Sequence, residues 1–184
     1  FGAFGRQTTF WAGAVDGVNY GMDESTLTLN INGEATGAGF MLPIGSEINL
    51  ADVVLYNNTA GAFDLSLVAS GQVVALGTMP NQSILAHETM YPRIAFKDAI
   101  NSLMNNPLLQ ASHIDEFGNE WATFQFRVSN QNASSGSEVS IGNLDIVYEW
   151  ETILGAAANF DRELNQGIAL GSGAQVAVPI ALNG

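Results

Sequence analysis

One short segment of the sequence gathers several side chains that commonly bind cations. His113, Asp115, Glu116 and Glu120 flank the turn-forming residues 117–119. Imidazole nitrogens and carboxylate oxygens are ligands for divalent metals, so His113, Asp115 and Glu116 are candidate ligands of a structural cation. An acidic loop whose charges are simply hydrated is the alternative interpretation. No other cofactor is indicated.

The sequence lacks the residues that usually carry out covalent catalysis. The chain contains no cysteine, which excludes thiol nucleophiles, disulfides and cysteine-bound metals. A serine nucleophile needs a base and an orienting acid, yet only His87 and His113 are available and there is no Gly-x-Ser-x-Gly motif. Glu149 and Glu151 could be imagined as an acid–base pair, but they fall on the polar face of a predicted strand. We therefore expect no enzymatic activity.

The balance of acidic and basic residues limits the kinds of molecule that the chain can bind. The 184 residues include 18 Asp and Glu against 5 Lys and Arg, a net charge of −13. Binding to nucleic acid needs a basic face, so no direct nucleic-acid binding is expected. Lys97 is the only lysine. This composition suits a halophilic protein in molar salt, where the Debye length is about 3 Å; improved solubility is the alternative reason for such an acidic chain.

Period-two alternation of apolar and polar residues dominates the chain and predicts strands. The predicted strands cover residues 26–31, 48–56, 63–69, 72–77, 83–89, 123–128, 144–151 and 175–182. Asn32-Gly33 predicts a tight hairpin turn after the first of these, and Pro179 restricts the last to an edge or terminal position. Short strands at this spacing predict an all-β fold, a single jelly-roll β-sandwich or barrel of about eight strands.

One short inserted helix is predicted near residues 93–105, with Pro92 at its start and Asn105-Asn106-Pro107 at its end. The glycine-rich stretches 33–45 and 167–173 are interpreted as loops. No domain boundary is visible, so residues 1–184 are expected to form a single domain that begins with an irregular N-terminal arm over residues 1–20.

The N-terminal arm is rich in aromatic residues. Phe1, Phe4, Phe10 and Trp11 fall within eleven positions without clear periodicity, and residues 171–184 carry no charge. Large apolar patches are seldom left exposed on a monomer. These four aromatic residues are therefore candidate assembly contacts with another subunit, a second protein or a membrane, unless they fold back onto their own domain.

The closing strands carry a family resemblance. The segments 124–128 and 141–151, joined by a loop at 134–140, resemble the last strands of a viral capsid jelly roll. With the acidic, lysine-poor composition, the chain resembles the small major capsid proteins of tailless icosahedral, internal-membrane viruses of haloarchaea, the sphaerolipovirus-like group. That resemblance implies a structural virion protein without catalytic residues. It would form an upright single jelly roll in homo-oligomers, with a second capsid protein, around an internal viral membrane.

A second class of function fits the same pattern. The chain could be an extracellular β-sandwich domain of a surface-layer, pilus or glycan-binding adhesin protein at the cell surface. Three glycosylation sequons begin at Asn57, Asn81 and Asn132, which matter only if the chain meets a glycosylation system.

The charge balance predicts that stability rises with salt. Screening weakens repulsion among 18 carboxylates that face few cations. We expect molar KCl to raise the melting temperature by roughly 5 °C, about 1–2 kcal/mol for a chain of this size. Differential scanning calorimetry in dilute buffer and in 3 M KCl measures this shift, and equal melting temperatures would contradict the halophilic interpretation.

Overall fold

The protein is built almost entirely from strands. The computed structural model describes residues 2–15, 18–57, 62–79, 93–152 and 174–176. Within these residues the strands are β1 (Gly2–Gln7), β2 (Phe10–Val15), β3 (Val18–Met22), β4 (Glu24–Thr28), β5 (Glu34–Pro43), β6 (Glu47–Asn57), β7 (Phe63–Ala69), β8 (Gln72–Met79), β9 (Arg93–Ala95), β10 (His113–Ile114), β11 (Glu120–Ser129), β12 (Glu138–Glu151) and β13 (Ala174–Val176). The helix, α1, covers Lys97–Met104.

Two antiparallel sheets form a sandwich. The β12 sheet has the strand order β13–β1–β12–β6–β9, and β4 also pairs with β12. The β11 sheet has the order β10–β11–β7–β8, and β5 also pairs with β11. Strands β2 and β3 form a separate pair. The chain is thus an all-β, jelly-roll-like sandwich with one short helix, as predicted, although the described residues hold thirteen strands and not about eight.

The predicted alternation fills the space between the sheets. The inward residues of β12 and β11 are all buried: Leu144, Ile146, Tyr148, Trp150, Phe124, Phe126 and Val128. Aromatic rings meet at the centre, with 5.5 Å between the ring centroids of Phe40 and Phe124 and 5.1 Å between those of Phe96 and Phe126. Such ring pairs stabilise a core beyond the area they bury.

The helix is shorter than the predicted span. Residues 93–95 pair with β6 as strand β9, so α1 starts at Lys97. Its last residue is Met104, and Asn105, predicted to stop the helix, is the C-cap; the helix buries Ala99, Ile100 and Leu103. No helix among the described residues has the length and apolar character to cross a membrane.

The expected irregular arm over residues 1–20 is wrong, because β1 is a paired strand of the β12 sheet. Gly5 lies opposite Tyr148, and Ala3 lies opposite Trp150. A Cβ atom on Gly5 would lie 2.6 Å from Cε2 of the Tyr148 ring. The small inward residues of β1 therefore leave space for the large rings of β12. Because these inward residues are glycine and alanine, the sequence of β1 shows no alternation of large apolar and polar residues. Burial also raises the pKa of Tyr148.

The loop expected over residues 33–45 is also wrong, because most of it forms β5. The strand bulges where its register with β11 shifts between Phe124 and Phe126, and Ala38 there has a φ of 53°. A Cβ atom on Gly37 would lie 2.8 Å from Leu27 Cδ2. The glycines of β5 therefore allow the strand to bulge and allow β4 to approach it closely.

A tight turn is present where the sequence predicts one, but the predicted hairpin is wrong, because the two strands that it joins belong to different sheets. Gly33 has a φ of 73°, and its N–H donates to the Asn30 carbonyl over 3.0 Å. Strand β4 pairs with β12, whereas β5 pairs with β11. The turn is therefore a corner of the sandwich. Ile31, predicted in a half-buried strand, lies outside β4 and is 87 % exposed.

Several predictions fall outside the described residues: Phe1, His87, Pro92, the strand 83–89, the sequon at Asn81, the loop 167–173, and residues 177–182 of the last predicted strand. They remain predictions.

Candidate functional site

Asp115 organises the turn between β10 and β11. Its Oδ1 accepts hydrogen bonds from the N–H groups of Phe117 and Asn119 at 3.0 and 2.9 Å, and from Asn119 Nδ2 at 3.3 Å. Its Oδ2 accepts one from Trp121 Nε1 at 3.1 Å. The carboxylate is 7 % exposed. Its oxygens therefore stabilise the turn and anchor a core tryptophan.

The turn does not gather the predicted cation ligands. Among the described residues, no group of three His, Asp or Glu side chains could hold a metal ion. Nε2 of His113 is buried and has no hydrogen-bond partner in the described chain, while Glu116 is exposed. His113, Asp115 and Glu116 are thus neighbours in sequence whose side chains do not form a metal site, because local hydrogen bonds already engage the Asp115 carboxylate.

The N-terminal aromatic residues have different environments. Phe10 is fully buried, with 6.5 Å between its ring centroid and that of Phe126, so its prediction as an assembly contact is wrong. Phe4 is half-buried on the outer face of β1. Trp11 is 45 % exposed, and its register partner on β3 is Gly21, which has no side chain to cover the indole. Among the three that the structure describes, Phe4, Phe10 and Trp11, the tryptophan is the most exposed.

An acidic cleft opens at one end of the β12 sheet. Its volume is about 340 Å³, and it is lined by Phe4, Trp150, Glu47, Glu149, Glu151, Gly2, Ala3 and Gly45. Phe4, Glu149 and Glu47 form one row across β1, β12 and β6. The cleft can therefore offer carboxylate oxygens as hydrogen-bond acceptors beside an aromatic ring.

A neighbouring row carries balanced charges. Asp145 and Asp52 lie opposite each other on β12 and β6. Arg6 donates to Asp145 Oδ1 and Oδ2 over 2.9 and 3.1 Å, and Arg93 lies 3.9 Å from Asp52. The hydrogen bond and charge of Asp145 raise the pKa of Arg6. Arginines on the flanking strands β1 and β9 thus offset one pair of like charges.

The Glu47–Glu149 row has no such cation: within the described chain, neither glutamate forms an ion pair. Sequence periodicity identified Glu149 and Glu151 as the polar face of β12, but it missed Glu47. Glu47 reaches the cleft only through the register of β6 against β12, for which the sequence contains no local signal.

Comparison with known proteins identifies no family. No protein-family model matches the sequence, and no curated protein matches it. Among solved structures, the chain is similar to a crystal structure of CBM28, a carbohydrate-binding module described as specific for non-crystalline cellulose. The identity is 12 % and the TM-score 0.39, and the alignment covers 77 % of this chain and 86 % of that one.

Replacing Asp115 tests its role as the organiser of the turn. We expect Asp115→Ala to lower the free energy of unfolding by about 1–3 kcal/mol, because buried N–H groups lose their acceptor. Glu120→Ala, at an exposed position at the start of β11, should change it by less than about 0.5 kcal/mol. Urea unfolding followed by tryptophan fluorescence measures both. Equal effects of the two substitutions would contradict this role.

Proposed function

We propose that the chain is a non-catalytic structural subunit that works by assembling with copies of itself. In its finer form, the proposal is a single jelly-roll major capsid protein of a halophilic, tailless icosahedral virus. Homo-oligomers, a second capsid protein and an internal viral membrane would then be its partners, and the virion its location. The jelly-roll-like sandwich and the acidic composition are compatible with this assignment.

The observation that carries the proposal is the exposed Trp11. Trp11 is 45 % exposed on a strand pair outside both sheets. In a monomer, contact between its apolar indole surface and water is unfavourable. Tryptophan is also among the residues most often found at the energetic centre of a protein interface. Phe10, its neighbour, faces the core and holds β2 in place, so the indole is presented from a fixed strand.

The surface charge supports assembly at high salt. The outer face of the β12 sheet carries Glu47, Asp52, Asp145, Glu149 and Glu151 against two arginines. Copies with such faces repel in dilute buffer, and molar salt screens that repulsion over a few ångströms. Apolar contacts of the Trp11 kind persist under the same conditions, because excluded salts strengthen the burial of apolar surface.

Replacing Trp11 tests the proposal. We expect Trp11→Ala to raise the dissociation constant of the assembly roughly 30-fold, as for a hot-spot residue, without changing the circular dichroism spectrum. Thr36→Ala, an exposed position on β5, is the control. Sedimentation velocity in 2 M KCl measures the assembly. Unchanged assembly would exclude Trp11 as a contact, and a strictly monomeric wild-type chain at high concentration would contradict the proposed function.

The acidic cleft favours a second candidate function, binding of a neutral glycan by a cell-surface domain. Sugar hydroxyls donate hydrogen bonds to carboxylates, and the apolar face of a sugar ring packs on aromatic rings. The row Phe4–Glu149–Glu47 places both kinds of group in one cleft, whose volume of about 340 Å³ falls in the range of small-ligand sites.

An array of neutral oligosaccharides tests this second candidate. If a glycan binds, Phe4→Ala should weaken its affinity roughly 3- to 10-fold through loss of the ring contact. Leu50→Ala should leave it unchanged, because Leu50 lies on the same outer face but outside the cleft. Isothermal titration calorimetry measures both affinities. The absence of binding to any glycan on the array would exclude this function.

A further inference from the structure

Strand β8 forms an edge of the β11 sheet that carries no charge. It pairs with β7 from Phe63↔Met79 to Ala69↔Gln72, and no other strand among the described residues pairs with it. Its eight residues include no Asp, Glu, Lys or Arg, and Val73 on its outer face is 50 % exposed. Natural edge strands usually carry charges that discourage pairing with another chain. β8 lacks this protection.

A groove runs beside this edge. Its volume is about 380 Å³, and it lies between Val74, Ala75 and Leu76 of β8 and residues 95–99 at the start of α1. Phe96 is buried, and Val74 and Leu76 are partly buried and pack against the core. The groove therefore offers an apolar floor next to strand backbone that, among the described residues, pairs with β7 alone.

The rim of the groove is self-complementary in charge. Lys97 and Asp98 are adjacent, exposed residues at the start of α1, and within the described chain neither forms an ion pair. In a two-fold arrangement, residue i of one copy meets residue j of the other, and j meets i. One positive and one negative group at the same rim can then form two ion pairs between identical chains.

We propose that β8 is the edge through which two copies of this chain join, antiparallel and about a two-fold axis at Val74. Val73 of each copy then lies opposite Ala75 of the other, and Lys97 faces Asp98 of the second copy. The axis is placed at Val74, within residues 72–75, which pair in regular register with β7; Leu76 falls at the register shift between Leu65 and Ser66. This inference rests on the proposed self-assembly and names one of its interfaces.

Charge favours a second copy over an unrelated partner. Most contacts between copies of a chain with net charge −13 would bring carboxylates together. At β8 the approaching strands are neutral, and the described residues of the flanking rim contribute one charge of each sign, Lys97 and Asp98. Pairing of two β8 edges gives the outward N–H and C=O groups of β8 hydrogen-bond partners and covers the exposed Val73. It brings no two carboxylates together.

Engineered disulfides test the contact in the full-length chain, which has no cysteine of its own. Opposed residues of antiparallel strands have Cα atoms about 4.5–5.5 Å apart, within the range that a disulfide spans. We expect a mixture of Val73→Cys and Ala75→Cys chains to form disulfide-linked dimers under mild oxidation. Thr78→Cys, on the same strand but beyond the shift in register, should form none with itself. No dimer from the mixture would overturn the inference.

A charge exchange at the rim provides a second test. Lys97→Glu and Asp98→Lys should each weaken dimer formation roughly 5-fold at 0.15 M KCl, and less in 2 M KCl, where surface pairs are screened. The double variant Lys97→Glu/Asp98→Lys should restore it, because the exchanged charges still face each other. A double variant that dimerises no better than the single variants would overturn the ion-pair contact.

Different results would contradict the proposed function and the β8 contact. A wild-type chain that stays monomeric in 2 M KCl contradicts the proposed function together with this inference. A chain that assembles while its β8 cysteines do not link, or while β8 amide hydrogen exchange is equal at 1 µM and 1 mM, contradicts the inference alone. Disulfide-linked dimers from Trp11→Ala chains carrying the same cysteines would support β8 as a separate contact.

Discussion

Strand β12 must place Tyr148 and Trp150 in the interior, and this requirement governs the strands beside it. The two rings fit only because β1 presents Gly5 and Ala3 opposite them. Interiors pack as densely as organic crystals, so larger residues at these positions would displace the rings. The register thereby fixed also sets Arg6 against Asp145 and Phe4 beside Glu149. The outer charge pattern and the acidic cleft follow from how the core is filled.

The same packing explains which strands could be predicted from the sequence. Strands β6, β7, β11 and β12 alternate large apolar and polar residues. The predicted spans of β6 and β7 agree with the structure to within one residue at each end, whereas β11 and β12 start three and six residues before their predicted spans. Strands β1 and β5 were missed because they use small residues for close approach. Glycine is typical of a loop when the sequence is considered alone; opposite a tyrosine, or beneath a crossing leucine, it is the residue that a strand needs.

The candidate surfaces were only partly predictable, for a similar reason. Consecutive residues of a strand point to opposite faces, so Phe10 and Trp11 cannot share an environment. Which of them faces inward depends on contact with Phe126, more than a hundred residues away. Glu47 joins Glu149 through strand register, and the Asp115 carboxylate is engaged by donors that sequence spacing alone does not identify. Local sequence identified the side chains, and long-range pairing determined their partners.

The placement of the two proposed contacts has a consequence for the form of the assembly. A two-fold contact at β8 closes on itself and yields a dimer. Growth into a shell therefore needs a second, different contact. Strand β2 packs against β5, at the edge of the β11 sheet opposite β8, so Trp11 lies on the far side of that sheet. Each dimer would then present two such tryptophans at its ends, away from the two-fold axis. In that arrangement β8 forms the contact within each dimer and Trp11 forms the contact between dimers. The acidic outer face of the β12 sheet takes no part in either contact.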